Sequence, residues 1–149
     1  MRAAARARHG PDQVADFRLA IRVYWEDTDA AGIVFYANYL KFFERARTEW
    51  LRGFGLEQER LRAESGIAFV VTETTLRYFA PARLDDMIDV SVHIKRLGQA
   101  SLVVMQQARR GDHVLVEGTI RVGCVDLGTF RPRRIPDEIL MMILKDDSR

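Results

Sequence analysis

The folded part of the chain begins with apolar side chains at every second position. Phe17, Leu19, Ile21, Val23 and Trp25 alternate with Arg18, Ala20, Arg22 and Tyr24. A period of two sends successive side chains to opposite faces, so this stretch predicts a half-buried strand. From Tyr39 the period changes: Tyr39, Phe43, Ala46, Trp50 and Phe54 recur at helical spacing, and Gly53 and Gly55 supply a stop. A short helical piece, EQERLRAES, then leads to Gly66. The run IAFVVTETTLRY, residues 67–78, is rich in β-branched and aromatic side chains and ends at the break APARLDD around Pro81. It predicts a long, bent second strand.

Three further strands follow. Ile88, Val90, Val92 and Ile94 alternate with Asp89, Ser91, His93 and Lys95, and Gly98 provides a turn. Ser101 to Arg109 forms the next strand. Val114 to Val125 forms the last, with Val116, Ile120, Val122 and Cys124 on one face and Gly118 interrupting it. A C-terminal helix, DEILMMIL, closes the chain. Strands joined by tight turns are antiparallel neighbours, and a single long amphipathic helix must bury its apolar face on their sheet. The expected class is α+β: a curved antiparallel sheet of about five strands around one long helix, plus a short C-terminal helix. Pro81 and Gly118 are expected at sheet edges or bends.

At 149 residues the chain has the length of one domain. Residues 1–16, Arg- and Ala-rich with Gly-Pro close by, read as a flexible extension, and 17–149 as the domain. With 23 basic and 21 acidic side chains the net charge is +2, which gives no general drive toward nucleic acid. No apolar run reaches the roughly 18 residues of a membrane span, and no secretory signal is evident. Cys124 alone excludes an internal disulfide and fits a reducing, cytoplasmic compartment; within IRVGCVD it reads as a small buried strand residue.

Chemistry concentrates between the first strand and the long helix. In EDTDAAG, Glu26, Asp27, Thr28 and Asp29 are acidic or hydroxylic, and Gly32 allows backbone conformations closed to other residues. The first N–H groups of a helix lack internal partners and carry partial positive charge, so they suit a developing oxyanion. Asp29 would stand beside them as nucleophile or base. The competing reading is a helix cap in a solvated acidic loop, which is the commoner use of such residues. A calcium loop fits poorly, because the spacing lacks the required Gly and terminal Glu. Glu44 with Arg47, and Arg45 with Glu49, read as helix-surface pairs. His9, His93 and His113 read as surface or structural residues. The basic run Arg131, Arg133 and Arg134 reads as solvated surface, with phosphate contact as the alternative.

The run EDTDAAGIVFYANYLKFFERARTEWLR, with GIAFVV, RLGQASLV and VGCVDLGTFRPRRIP after it, resembles hotdog-fold acyl-CoA thioesterases of the 4-hydroxybenzoyl-CoA thioesterase family. Within them it is most similar to the type associated with the Tol-Pal envelope system. The resemblance spans about Phe17 to Ile139. It implies thioester hydrolysis without metal or cofactor, with Asp29 as the catalytic aspartate, nucleophile or general base, and the Tyr36 backbone N–H as oxyanion donor. Gly32, Val34, Phe35 and Phe69 are the substrate-binding residues expected with them. It also implies an acyl-CoA substrate and a homo-oligomer (dimer or tetramer) with active sites at the dimer interface. Where many Tol-Pal-type members have His after an aromatic residue, this chain has Phe35-Tyr36. Where hydroxybenzoyl-type enzymes carry an Arg pair for coenzyme A phosphate, it has Gly98-Gln99, with Lys95 and Arg96 nearby. The rival function is a low-turnover scaffold on the same fold that engages acyl carrier protein or phospholipid-synthesis enzymes; Ile139, Leu140, Met142 and Ile143 of the C-terminal helix would dock such a partner, with packing on their own domain as the commoner use. A dehydratase is disfavoured because the loop holds no His.

Overall fold

A computed structural model describes residues 17–147, so the expected extension over 1–16, and His9 within it, lie outside the described residues. In chain order the elements are β1 (Phe17–Arg22), α1 (Asn38–Arg52), α2 (Gln58–Ser65), β2 (Ile67–Tyr78), β3 (Met87–Leu97), β4 (Ser101–Arg110), β5 (His113–Asp126) and α3 (Asp137–Asp147). The strands make one antiparallel sheet in the order β1-β3-β4-β5-β2. The tight turns join spatial neighbours, β3 to β4 to β5, as expected. By contrast β2 and β3, consecutive in sequence, stand apart, and residues 79–86 carry the chain between them. The bend expected in β2 is a register shift between Val71 and Glu73. This is the hotdog arrangement, a curved sheet around one helix.

The alternation of the first strand stops short of Trp25. The Asp27 carboxylate accepts the Tyr24 N–H at 2.8 Å and the Asp27 N–H donates back to the Tyr24 carbonyl at 3.0 Å. These bonds curl Trp25–Asp27 into a single 3-10 turn and leave Trp25 82% exposed.

Helix α1 buries Tyr39, Phe42, Phe43, Ala46, Trp50 and Leu51. Burying a large apolar side chain contributes about 1.5–3 kcal/mol, so this stripe seats the helix. Gly118 turns out to lie on β5, an interior strand, and not at an edge. A Cβ there would stand 2.6 Å from Leu76 Cδ2 and 2.8 Å from Phe43 Cε2, so the glycine lets the helix approach the sheet. Next to this contact the fully buried Gln106 of β4 donates from Nε2 to the Phe43 carbonyl at 3.0 Å and to the Ser91 carbonyl at 3.3 Å. Its Oε1 accepts from Arg47 Nη1 at 2.8 Å. At the far end, Ile139 and Ile143 of α3 are buried in the same core, so these two anchor the helix to its own domain.

The link from β2 to β3 is closed by Asp86, whose carboxylate accepts the Arg83 N–H at 2.9 Å and meets Arg110 Nη1 at 2.6 Å. Burial alone would raise the Asp86 pKa. The Arg83 N–H and the Arg110 guanidinium outweigh it and hold the carboxyl below its ordinary value. A depressed folded-state pKa adds stability above the ordinary aspartate pKa of about 3.9, and that stability is lost as pH falls through the folded value. Asp86→Asn should therefore flatten the acid limb of the stability curve, as followed by urea unfolding between neutral and strongly acid pH; an unchanged limb contradicts this role. Gly118→Val, by overpacking against Phe43, should cost about 1–3 kcal/mol in the same unfolding measurement at neutral pH.

Candidate active site

Between β1 and α1 the chain forms a narrow hairpin. Thr28 bridges Val34, the Asp29 N–H donates to the Ile33 carbonyl at 2.9 Å, and the Gly32 N–H donates back to the Asp29 carbonyl at 3.0 Å. The tip closes through Gly32 at φ +75°, the left-handed conformation that glycine adopts without strain. The hairpin is pinned to the β2–β3 link: Ile33 bridges Arg83, and the Val34 N–H donates to the Ala82 carbonyl at 2.9 Å.

The four polar residues at the head of this hairpin divide cleanly. Asp27 is the structural one. Its carboxylate takes the Tyr24 N–H, while its carbonyl accepts the Phe35 N–H at 3.0 Å and Asn38 Nδ2 at 2.8 Å, so it ties the exit of β1 to the entrance of α1. Thr28 Oγ1 donates to the Trp25 carbonyl at 2.9 Å. Glu26 is exposed. Asp29 is exposed too, and one carboxylate oxygen accepts the Ala31 N–H at 2.8 Å, which holds the side chain in a turn of its own loop.

At the helix entrance Ala37 stands at the cap position without a side-chain cap bond. The carbonyls there are occupied: Phe35 accepts the Asn38 N–H at 2.8 Å, Ala37 accepts the Leu40 N–H at 3.1 Å, and Tyr36 accepts the Tyr78 hydroxyl at 2.9 Å. The N–H groups of Tyr36 and Ala37 have no intrachain acceptor among the described residues. They are the unsatisfied donors that a helix start offers to an anion. Tyr36 is 64% exposed and its ring lies 4.7 Å from that of Phe35 and 6.5 Å from that of Tyr78.

Asp29, Gly32, Phe35 and Tyr36 thus share one hairpin and helix entrance. Val34 shares the hairpin, but at 4% exposed its side chain belongs to the core. Phe69 lies elsewhere. It lines a cavity of about 200 Å³ beside the later half of α1, with Glu44, Arg47, Trp50, Val71 and Val122. Arg47, expected in a helix-surface pair, instead turns inward to Gln106; burial lowers its pKa, opposed by the Glu44 charge. Glu49 pairs with Arg52 at 3.4 Å. Arg133 donates to the Ser65 carbonyl at 2.8 Å and stands 3.5 Å from Asp126, and Arg134 meets Asp137 at 3.1 Å, so two arginines of the basic run are engaged within the chain. Cys124 is buried on β5, which raises its thiol pKa. Among the described residues no group of His, Cys, Asp and Glu is arranged to hold a metal ion. No helix there is long and apolar enough to cross a membrane.

The thioesterase-like superfamily model matches residues 23–143. The chain belongs to that family. It is 45% identical over 125 residues to the acyl-CoA thioester hydrolase YbgC of Escherichia coli strain CFT073, covering 83% of this chain and 92% of that one. It is 42% identical over 123 residues to the acyl-CoA thioesterase YbgC of Haemophilus influenzae, covering 83% and 90%. Among solved structures, the probable thioesterase from Bartonella henselae superposes with a TM-score of 0.77 at 33% identity, covering 82% of this chain and all of that one. The chain is a hotdog-fold thioesterase.

Two residues that position this entrance, Tyr78 and Asn38, carry no sequence signal of that role. They are an ordinary strand-end aromatic and an ordinary residue at a helix start. The division among the acids gives a prediction. Asp27→Ala should lower the unfolding free energy by about 0.5–2 kcal/mol, as for loss of a cap, whereas Asp29→Ala should cost distinctly less. Equal losses in parallel urea titrations would contradict it.

Proposed function

We propose that this chain hydrolyses the thioester bond of an acyl-coenzyme A to a free carboxylic acid and CoA. One observation supports the reading above the rest: a Tyr36 amide unengaged among the described residues, at the start of α1, adjoins the pinned hairpin that carries the exposed Asp29 carboxylate. In this mechanism the thioester carbonyl oxygen sits against the Tyr36 N–H. Charge gathers on that oxygen as the carbon becomes tetrahedral, and a fixed amide dipole there stabilises the transition state more than the ground state. Asp29 either attacks the carbonyl carbon, giving an acyl-aspartyl anhydride that water then hydrolyses, or removes a proton from a water that attacks directly; in both routes the CoA sulfur leaves with the bonding pair and takes up a proton from water. Neither route requires a metal.

The site is completed by a second copy of the chain. Phe35, Tyr36 and Tyr78 form a connected exposed aromatic surface, and Trp25 and Phe79 are exposed as well. Contiguous apolar surface of this kind marks an interaction face. Strand β2 stands at an edge of the sheet and exposes Val71, which offers backbone groups for pairing.

The test is steady-state kinetics on short, long and aromatic acyl-CoAs with wild type beside Asp29→Asn. The substitution should lower kcat by at least roughly a hundredfold while far-UV circular dichroism and Tm stay close to wild type. A near-wild-type rate in the variant rules out Asp29. Binding of acyl-CoA without turnover by wild type would favour the scaffold reading.

A further inference from the structure

The Tyr78 side chain crosses from the end of β2 to the entrance of α1, and its hydroxyl donates to the Tyr36 carbonyl at 2.9 Å. The strand end is itself held: Tyr78 pairs with Val116 of β5, and the next residue, Phe79, donates its N–H to the Leu115 carbonyl at 2.8 Å. A peptide unit is planar, so holding the Tyr36 carbonyl fixes the direction of the Ala37 N–H on the opposite side of the same unit. The preceding unit is held in the same manner, because the Phe35 carbonyl accepts the Asn38 N–H and the Tyr36 N–H projects from its other side. Two successive peptide units are thus gripped by their oxygens, with their N–H groups unengaged among the described residues. A hydrogen bond accepted by a carbonyl also polarises its amide and strengthens the N–H as a donor.

We infer that Tyr78 is a positioning residue for catalysis: its hydroxyl orients the Tyr36–Ala37 peptide so that the Ala37 N–H joins the Tyr36 N–H as a second oxyanion donor. The inference rests on the thioesterase reading above and extends it from one amide to a pair. Tyr78 acts through the backbone of Tyr36 and makes no contact with the reacting carbonyl. Its ring contributes separately, since it lies 5.8 Å from the Tyr39 ring and 6.5 Å from the Tyr36 ring, and those contacts persist when the hydroxyl alone is removed.

The experiment compares full-length wild type, Tyr78→Phe and Asp29→Asn on the acyl-CoA that wild type turns over fastest, with Tm measured for each. Tyr78→Phe should lose about tenfold in kcat, as expected when one preorganised donor becomes misaligned. Its KM should stay within about twofold and its Tm within about 3 °C of wild type, because transition-state interactions appear in kcat and the lost bond is exposed. The inference is overturned if Tyr78→Phe retains kcat within about twofold of wild type, or if its loss of kcat accompanies a larger fall in Tm. If Asp29→Asn is inactive while Tyr78→Phe is unaffected, this inference alone falls. If wild type turns over no acyl-CoA, both fall.

Discussion

The seat of α1 on the sheet is the constraint from which the candidate site follows. Phe43 meets β5 where Gly118 has no side chain, and the buried Gln106 amide grips the Phe43 carbonyl and the Ser91 carbonyl from below. Apolar packing by itself tolerates small slides of a helix along a sheet. A buried amide does not, because a slide that breaks its bonds leaves a desolvated polar group costing about 1–3 kcal/mol. The contact therefore sets both how near the helix lies and where along the sheet it stops. The direction of its first N–H groups is inherited from that choice.

Around the helix entrance, hydrogen bonds sort the residues by task. Asp27 spends its carboxylate and carbonyl on joining strand to helix, so it has little left for chemistry. Asp29, two residues on, is held only by its own turn and stays open to solvent. The carbonyls of Phe35, Tyr36 and Ala37 are all engaged, which turns the entrance into a surface of donors with few competing acceptors. Such polarity suits a carbonyl oxygen that gathers negative charge.

Much of this was legible in the chain because it depends on period. Alternation and helical spacing marked the strands, the long helix and much of its buried face, and β-branched and aromatic enrichment between Gly66 and Pro81 marked the 67–78 limits of β2. What escaped depends on particular hydrogen bonds and on contacts between residues far apart in the chain. Trp25 continues an apolar alternation, yet Asp27 pulls it off the sheet by hydrogen bonds that hydrophobic patterning does not report. Gly118 looks like an interruption until Phe43, from another element, is placed over it. Gln106 follows Leu102 and Val104 on the inward register of β4, so a polar residue on an apolar face was the available sign, and Arg47 was half of the answer. The site divides in the same way. The motif singled out Asp29 and Tyr36 by resemblance, whereas the grip of Tyr78 on Tyr36 spans 42 residues and becomes visible when β2 and α1 are brought together.

Val34 gives the hairpin a further property. It sits midway between Asp29 and the helix, yet its side chain is in the core and its N–H is bonded to Ala82. Lifting the hairpin would draw that side chain into water at about 1.5–3 kcal/mol, which keeps a displaced form at least tenfold rarer than the seated one. The acid-bearing loop therefore behaves as part of the wall and not as a lid. In the proposed mechanism, substrate therefore exchanges across a standing surface and not beneath a hinged loop.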